Sequence, residues 1–262
     1  MQEKLKTITI GDYSISILKN YFKDNENIEF LKLALDESIE DLNTNFSKKD
    51  IIFLITNGEN LEKLLEVGKS FKEKEIVTTT ILEEKLIMKN REVLENSIDT
   101  IFPVTKEDDI DNLLLELIRM IDNIIYGICF INLDVEDIKS MLKDSGITVF
   151  GSLNINETIS KEDIIKNINY PFYPKTLKDS KKLLIFLDTL EGFVLTEGEL
   201  ITDILKNETS QKTEDILFSI RIGNSLKNRI ECSFIAGVFK GCIINGVDRR
   251  NFYQCHFFNK KS

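Results

Sequence analysis

Two groups of residues have the types and spacing to do chemistry. The first is Asn132-Leu133-Asp134-Val135-Glu136-Asp137, an Asn-x-Asp-x-x-Asp run that follows a long apolar helical pattern. Carboxylates so placed can polarise a water. They also suit the N-terminus of the helix that follows, as caps and as charges complementing its dipole. The second group is Gly11 together with Thr56, Asn57 and Gly58, each set following a strand pattern. Backbone amides there can meet a phosphate only where side chains leave them open. Other chemistries are poorly provided for. The chain has one histidine, His256, and four cysteines at 129, 232, 242 and 255 with no CxxC spacing, so no metal site is predicted. A lone histidine near the end also disfavours Ser-His-Asp and Cys-His nucleophilic hydrolysis.

The elements that position these residues follow from hydrophobic periodicity. Residues 4–10 read as a strand with Ile8 and Ile10 on one face, and a helical pattern runs through Ile15, Leu18 and Phe22. Ile28–Leu33, Ile51–Ile55, Ile76–Thr80 and Thr100–Val104 are strand candidates, and Leu61 to Phe71 has helical spacing. Ile51–Ile55 is continuously apolar, as a strand covered on both faces must be. This alternation predicts an α/β parallel sheet. The strongest helix runs from Ile110 through Leu114, Leu117, Ile121 and Ile125 to Ile128, and its apolar girth predicts burial between two layers. Beyond it, Ser160-x-x-Asp163 and Thr196-x-x-Glu199 read as helix starts. Leu183–Leu187 reads as a buried strand, and Asp215–Ile222 and Ile230–Phe239 as two long strands joined near Gly223-Asn224-Ser225.

Composition narrows the function classes. The 262 residues carry a net charge of −10, which opposes a phosphate backbone and argues against nucleic-acid binding. Residues 240–262 are the exception, with five basic side chains against Asp248, a net of +4 that leaves −14 elsewhere. Phe252, Tyr253, Phe257 and Phe258 interleave with those charges, so this tail suits an extra strap on the fold, a membrane surface or an acidic partner. No signal peptide opens the chain and no apolar run approaches a membrane span, so a reducing cytoplasm is the expected location.

The order of segments after the long helix resembles the FtsZ/tubulin superfamily. Asn132-x-Asp134-x-x-Asp137 is similar to the family's synergy loop, and Met141 to Gly146 to the segment after it. Gly151-Ser152, Ser160 to Asp163, Leu183–Leu187, Thr196–Leu205 and the strand pair around Gly223 follow in the family's order. The resemblance covers 127–239 well and is traceable from 28 to 126. It implies a tubulin/FtsZ-like fold: a Rossmann-like parallel-sheet domain over 1–106, a central helix over 107–131, an α+β domain over 132–239, and the tail over 240–262. It further implies that Asn132, Asp134 and Asp137 act in trans on a nucleotide held by a neighbouring subunit.

The first domain departs from the family where GTP would bind. Gly11-Asp12-Tyr13 and Thr56-Asn57-Gly58-Glu59-Asn60 stand in place of two glycine-rich loops, and Thr78–Lys85 and Pro103–Asp111 keep little of the family pattern. Asp12 and Glu59 would each repel a phosphate by about 4 kcal/mol at ~4 Å and an effective dielectric of ~20. Gly11, Thr56, Asn57 and Gly58 are therefore the degenerate remainder of a nucleotide site, and no cofactor is predicted. The expected function is that of an FtsZ-like cytoskeletal or cell-division protein without a normal GTP site. Its partners would be copies of itself or FtsZ-type subunits. The enzyme-class alternative is a divergent GTPase that forms its own filaments.

Overall fold

The computed structural model describes residues 3–237 except 43, 106–109, 157–160, 171–176, 179, 210–212, 214 and 224–225. The tail over 240–262, with Cys242, Cys255 and His256, lies outside the described residues, as does Ser160. In chain order the elements begin β1 (Leu5–Ile10), α1 (Ser16–Tyr21), β2 (Ile28–Leu33), β3 (Ile51–Ile55), α2 (Leu61–Glu73), β4 (Val77–Glu83), α3 (Glu84–Ser97) and β5 (Thr100–Val104). Then come α4 (Ile110–Tyr126), β6 (Cys129–Ile131), α5 (Val135–Leu142), β7 (Gly146–Ile147) and β8 (Val149–Ile155). The last are α6 (Lys161–Asn167), β9 (Lys182–Thr189), α7 (Leu195–Glu208), β10 (Asp215–Ile222) and β11 (Ile230–Gly237).

The first sheet is parallel and six-stranded, in the order β2-β1-β3-β4-β5-β7. Every residue of β1, β3 and β5 is buried, because helices or α4 cover both faces. Ile8 and Ile10 pack with α2 and α3 residues such as Phe71 and Leu94, while Leu5, Phe53 and Phe102 pack on the other face with α4. The second sheet is mixed and five-stranded, in the order β6-β10-β9-β11-β8. Its one face meets α4 through Leu184, Phe186 and Ile235, so Leu114, Leu117 and Ile121 lie fully buried between the two sheets.

Four expectations change. The central helix stops at Tyr126, and Ile128 is 95% exposed. Gly127 ends it: its amide bonds to Asn123 O at 3.0 Å, and a Cβ there would lie 2.3 Å from that oxygen. Residues 129–131 then form a strand of the second sheet, and β7 returns to the first, so the boundary expected at 131/132 falls inside a crossing region. The two long strands are not a hairpin. β9 lies between them, parallel to β10 and antiparallel to β11, because its buried apolar run demands a neighbour on each side. Helix α7 starts at Leu195, where Glu197 accepts the Val194 amide at 3.4 Å, so Thr196 is inside the helix. Thr78–Lys85, which keeps little of the family pattern, is β4 running directly into α3.

Candidate functional site

The chain leaves β1 toward β2 on one side and β3 toward β4 on the other, so the winding reverses between these parallel neighbours. Ligands of open α/β sheets bind beyond the carboxyl ends of the strands at such a reversal. Gly11 follows β1 there, and Thr56, Asn57 and Gly58 follow β3, so the structure brings these four residues together. Gly11 and Gly58 hold φ of 73° and 83°, a region that favours glycine. A side chain lies close to each. An added Cβ would lie 2.7 Å from Asn60 Nδ2 at Gly11 and 2.6 Å from Leu86 Cδ1 at Gly58. Asn57 Oδ1 accepts from the Glu59 amide at 3.2 Å and from Asn60 Nδ2 at 3.3 Å, which ties the turn to itself.

Asp12 follows Gly11 in the same turn. Its side chain is 99% exposed, and Lys32 Nζ donates to it at 3.0 Å. Thr56 is buried, and among the described residues its hydroxyl has no hydrogen-bond partner. At the start of α3, burial pushes the Glu84 carboxyl above the usual range, only partly offset by Lys85.

Asn132, Asp134 and Asp137 belong to the other end of the molecule. Helix α4 begins beside the crevice, where Tyr13 donates its hydroxyl to Asp111 Oδ1 at 3.1 Å. Its 17 residues span about 25 Å. It ends where the Tyr126 hydroxyl donates to Glu3 O at 2.9 Å, just ahead of β1. Beyond the loop, Thr100 at the start of β5 donates its hydroxyl to Leu142 O at the end of α5. Both flanks of the loop are thus fixed at the starts of strands, and the crevice lies past their ends. Asp134 and Asp137 form a reciprocal capping box on α5. The Asp137 amide donates to Asp134 Oδ1 at 2.9 Å, and the Asp134 amide to Asp137 Oδ2 at 3.0 Å. Asn132 and Asp134 are exposed, and Asp137 is half-buried.

A cleft of about 650 Å³ opens between α1, α4 and the second sheet, lined among others by Asn25, Asp122, Asn123, Asp188, Arg221 and Glu231. Loss of water pushes the Asp122 carboxyl up, against a hydrogen bond from Asn25 at 3.0 Å and the charge of Arg221. Crowding by protein atoms does the same to Glu116, offset by Arg119. Among the described residues no group of three or more His, Cys, Asp or Glu could hold a metal ion, and no helix is long and apolar enough to cross a membrane.

No family model matches the sequence, and no curated protein does. Solved structures match over most of the chain. An FtsZ point mutant from M. jannaschii has a TM-score of 0.67 at 13% identity, covering 89% of this chain and 90% of its own. An empty FtsZ dimer from the same source scores 0.67 at 14% identity, covering 90% and 88%. A TubZ protofilament in its GTPγS form, from Bacillus thuringiensis serovar israelensis, scores 0.60 at 9% identity, covering 88% and 86%. The parallel sheet, the helix buried between two sheets and the mixed second sheet together make this an FtsZ/tubulin-like fold.

Proposed function

We propose that this chain is an FtsZ-like cytoskeletal protein that works by subunit contacts and not by turning over GTP. The observation that carries this reading is the difference between its two ends. At the β1/β3 reversal Asn60 and Leu86 crowd Gly11 and Gly58 in place of glycine-rich loops, whereas Asn132 and Asp134 stand exposed beyond the far end of α4. One copy cannot bring these ends together, so any joint use of them is between subunits. The neighbouring structures include an FtsZ dimer and TubZ protofilaments, which supports assembly of this chain with itself or with FtsZ-type subunits. Its loop would dock on the nucleotide-bearing face of such a subunit, where cation-bound phosphates would meet Asp134 and Asp137. Its own crevice, without glycine-rich phosphate loops, would then offer the next subunit no nucleotide.

The test is polymerisation of FtsZ from the same cell with substoichiometric amounts of this protein, read as filament length and phosphate release. Shorter filaments are expected, with normal length restored by the double variant Asp134→Ala, Asp137→Ala. Unchanged length at equimolar protein would remove the docking reading. A divergent GTPase is the second reading. Thr56 favours it, since it follows β3 at the reversal point and its buried hydroxyl has no hydrogen-bond partner among the described residues. Ligand at 100 times its dissociation constant stabilises a fold by about 2.7 kcal/mol. A thermal shift of that size with GTP, together with turnover lost in Asp134→Ala, would establish the second reading over the first.

A further inference from the structure

The segment joining α4 to α5 crosses from one sheet to the other and exposes two large apolar side chains, Ile128 at 95% and Phe130 at 65%. Its only strand, β6, is three residues long and forms the edge of its sheet. A short edge strand with a bulge at Ile220/Arg221 gives weak definition by itself. Two side chains from β10 supply more. Ser219 donates its hydroxyl to Ile131 O at 2.9 Å. Arg221 Nη1 donates to Asn123 Oδ1 at 2.6 Å, in the last turn of α4. The same guanidinium closes a fork on Asp188, with Nε donating to Oδ1 at 3.0 Å and Nη2 to Oδ2. Asp188 is buried, and the Arg221 backbone pairs with Cys129. One residue therefore grips the end of α4 with its side chain and the start of β6 with its backbone. Only a guanidinium has the planar fork and the spare donor to do both.

We propose that Arg221 is a positioning residue: it sets, from the second sheet, where Ile128, Phe130, Asn132 and Asp134 stand. The value of that placement rests on the reading of the loop as a docking face, but the clamp itself does not. The experiment is amide hydrogen exchange on the full chain, comparing the native protein with Asn123→Ala, Arg221→Lys and Arg221→Met. Asn123→Ala leaves the Arg221–Asp188 fork intact, so it keeps the test open if Arg221→Met fails to fold. Exchange at residues 128–134 should rise about tenfold or more in Asn123→Ala, with β9 and β11 protected as before. Arg221→Lys should do the same, since an ammonium cannot keep both partners. Unchanged exchange at 128–134 in Asn123→Ala would overturn the clamp. The same variant is then added to polymerising FtsZ. Faster exchange with undiminished filament shortening would overturn the positioning role while leaving docking itself in place. Native protein that does not shorten filaments would remove the docking reading alone.

Discussion

Asp134 has two roles that a single substitution can separate. As a cap it satisfies the Asp137 amide, and removing such an acceptor typically costs about 0.5–2 kcal/mol. As a charge it would meet a partner's phosphate-bound cation. Asn is as good a cap as Asp but carries no charge. Asp134→Asn is therefore expected to keep the native urea midpoint while losing filament shortening, whereas Asp134→Ala loses both. Loss of the midpoint in Asp134→Asn would show that the carboxylate matters to the fold beyond capping. A second residue-scale test concerns Asp122, whose carboxyl is pushed up first by loss of water. A raised carboxyl pKa means that the folded state binds the proton more tightly than the unfolded one. That contribution favours folding below the ordinary value of 3.8 and is lost as pH rises through the folded value. Asp122→Asn removes the titration. Its urea midpoint should match or exceed the native one at neutral pH, and the gap should close as pH falls toward 3.8. A gap that does not change with pH would mean that Asp122 is not desolvated.

At the scale of elements, α4 is the piece both sheets share. Leu117 is fully buried within the cluster that includes Phe53 of the first sheet and Phe186 of the second. Leu117→Ala should lower stability by about 2–5 kcal/mol, read from denaturant midpoints at unchanged slope. A change within error would mean that the sheets do not pack through this helix. This helix was legible in the sequence because eight of its apolar residues recur at helical spacing, and β3 because five apolar residues run together. The place of β9 was not. Local pattern marks where a strand begins and ends, but insertion of β9 between β10 and β11 is settled by distant partners. The candidate site divides in the same way. Asn132, Asp134 and Asp137 stood out through their order after the long helix, and Gly11 and Gly58 through residue type after a strand. Asn60 and Leu86 were not, since nothing about an Asn or Leu at a helix start reveals that it lies close to a glycine of another loop. Arg221 had one signal, a charge alternating with Ser219 inside an apolar strand, which marks a face that is polar and covered.

At the scale of the whole molecule, the chain passes between its two sheets more than once. β5 belongs to the first sheet, β6 to the second, β7 to the first again, and β8 to the second. The core reflects this, for one cluster holds Phe102 of β5, Met141 of α5, Phe150 of β8 and Ile235 of β11. Such lacing bears on how the protein comes off the ribosome. The first sheet lacks its last strand until Ile147 has emerged, and by then β6 is already made, with its partner β10 more than 60 residues away. For that interval the edge of β5 and the apolar residues Ile128 and Phe130 face solvent together. Synthesis must cross this stretch before either half can close, so the nascent chain is most open to wrong pairing there.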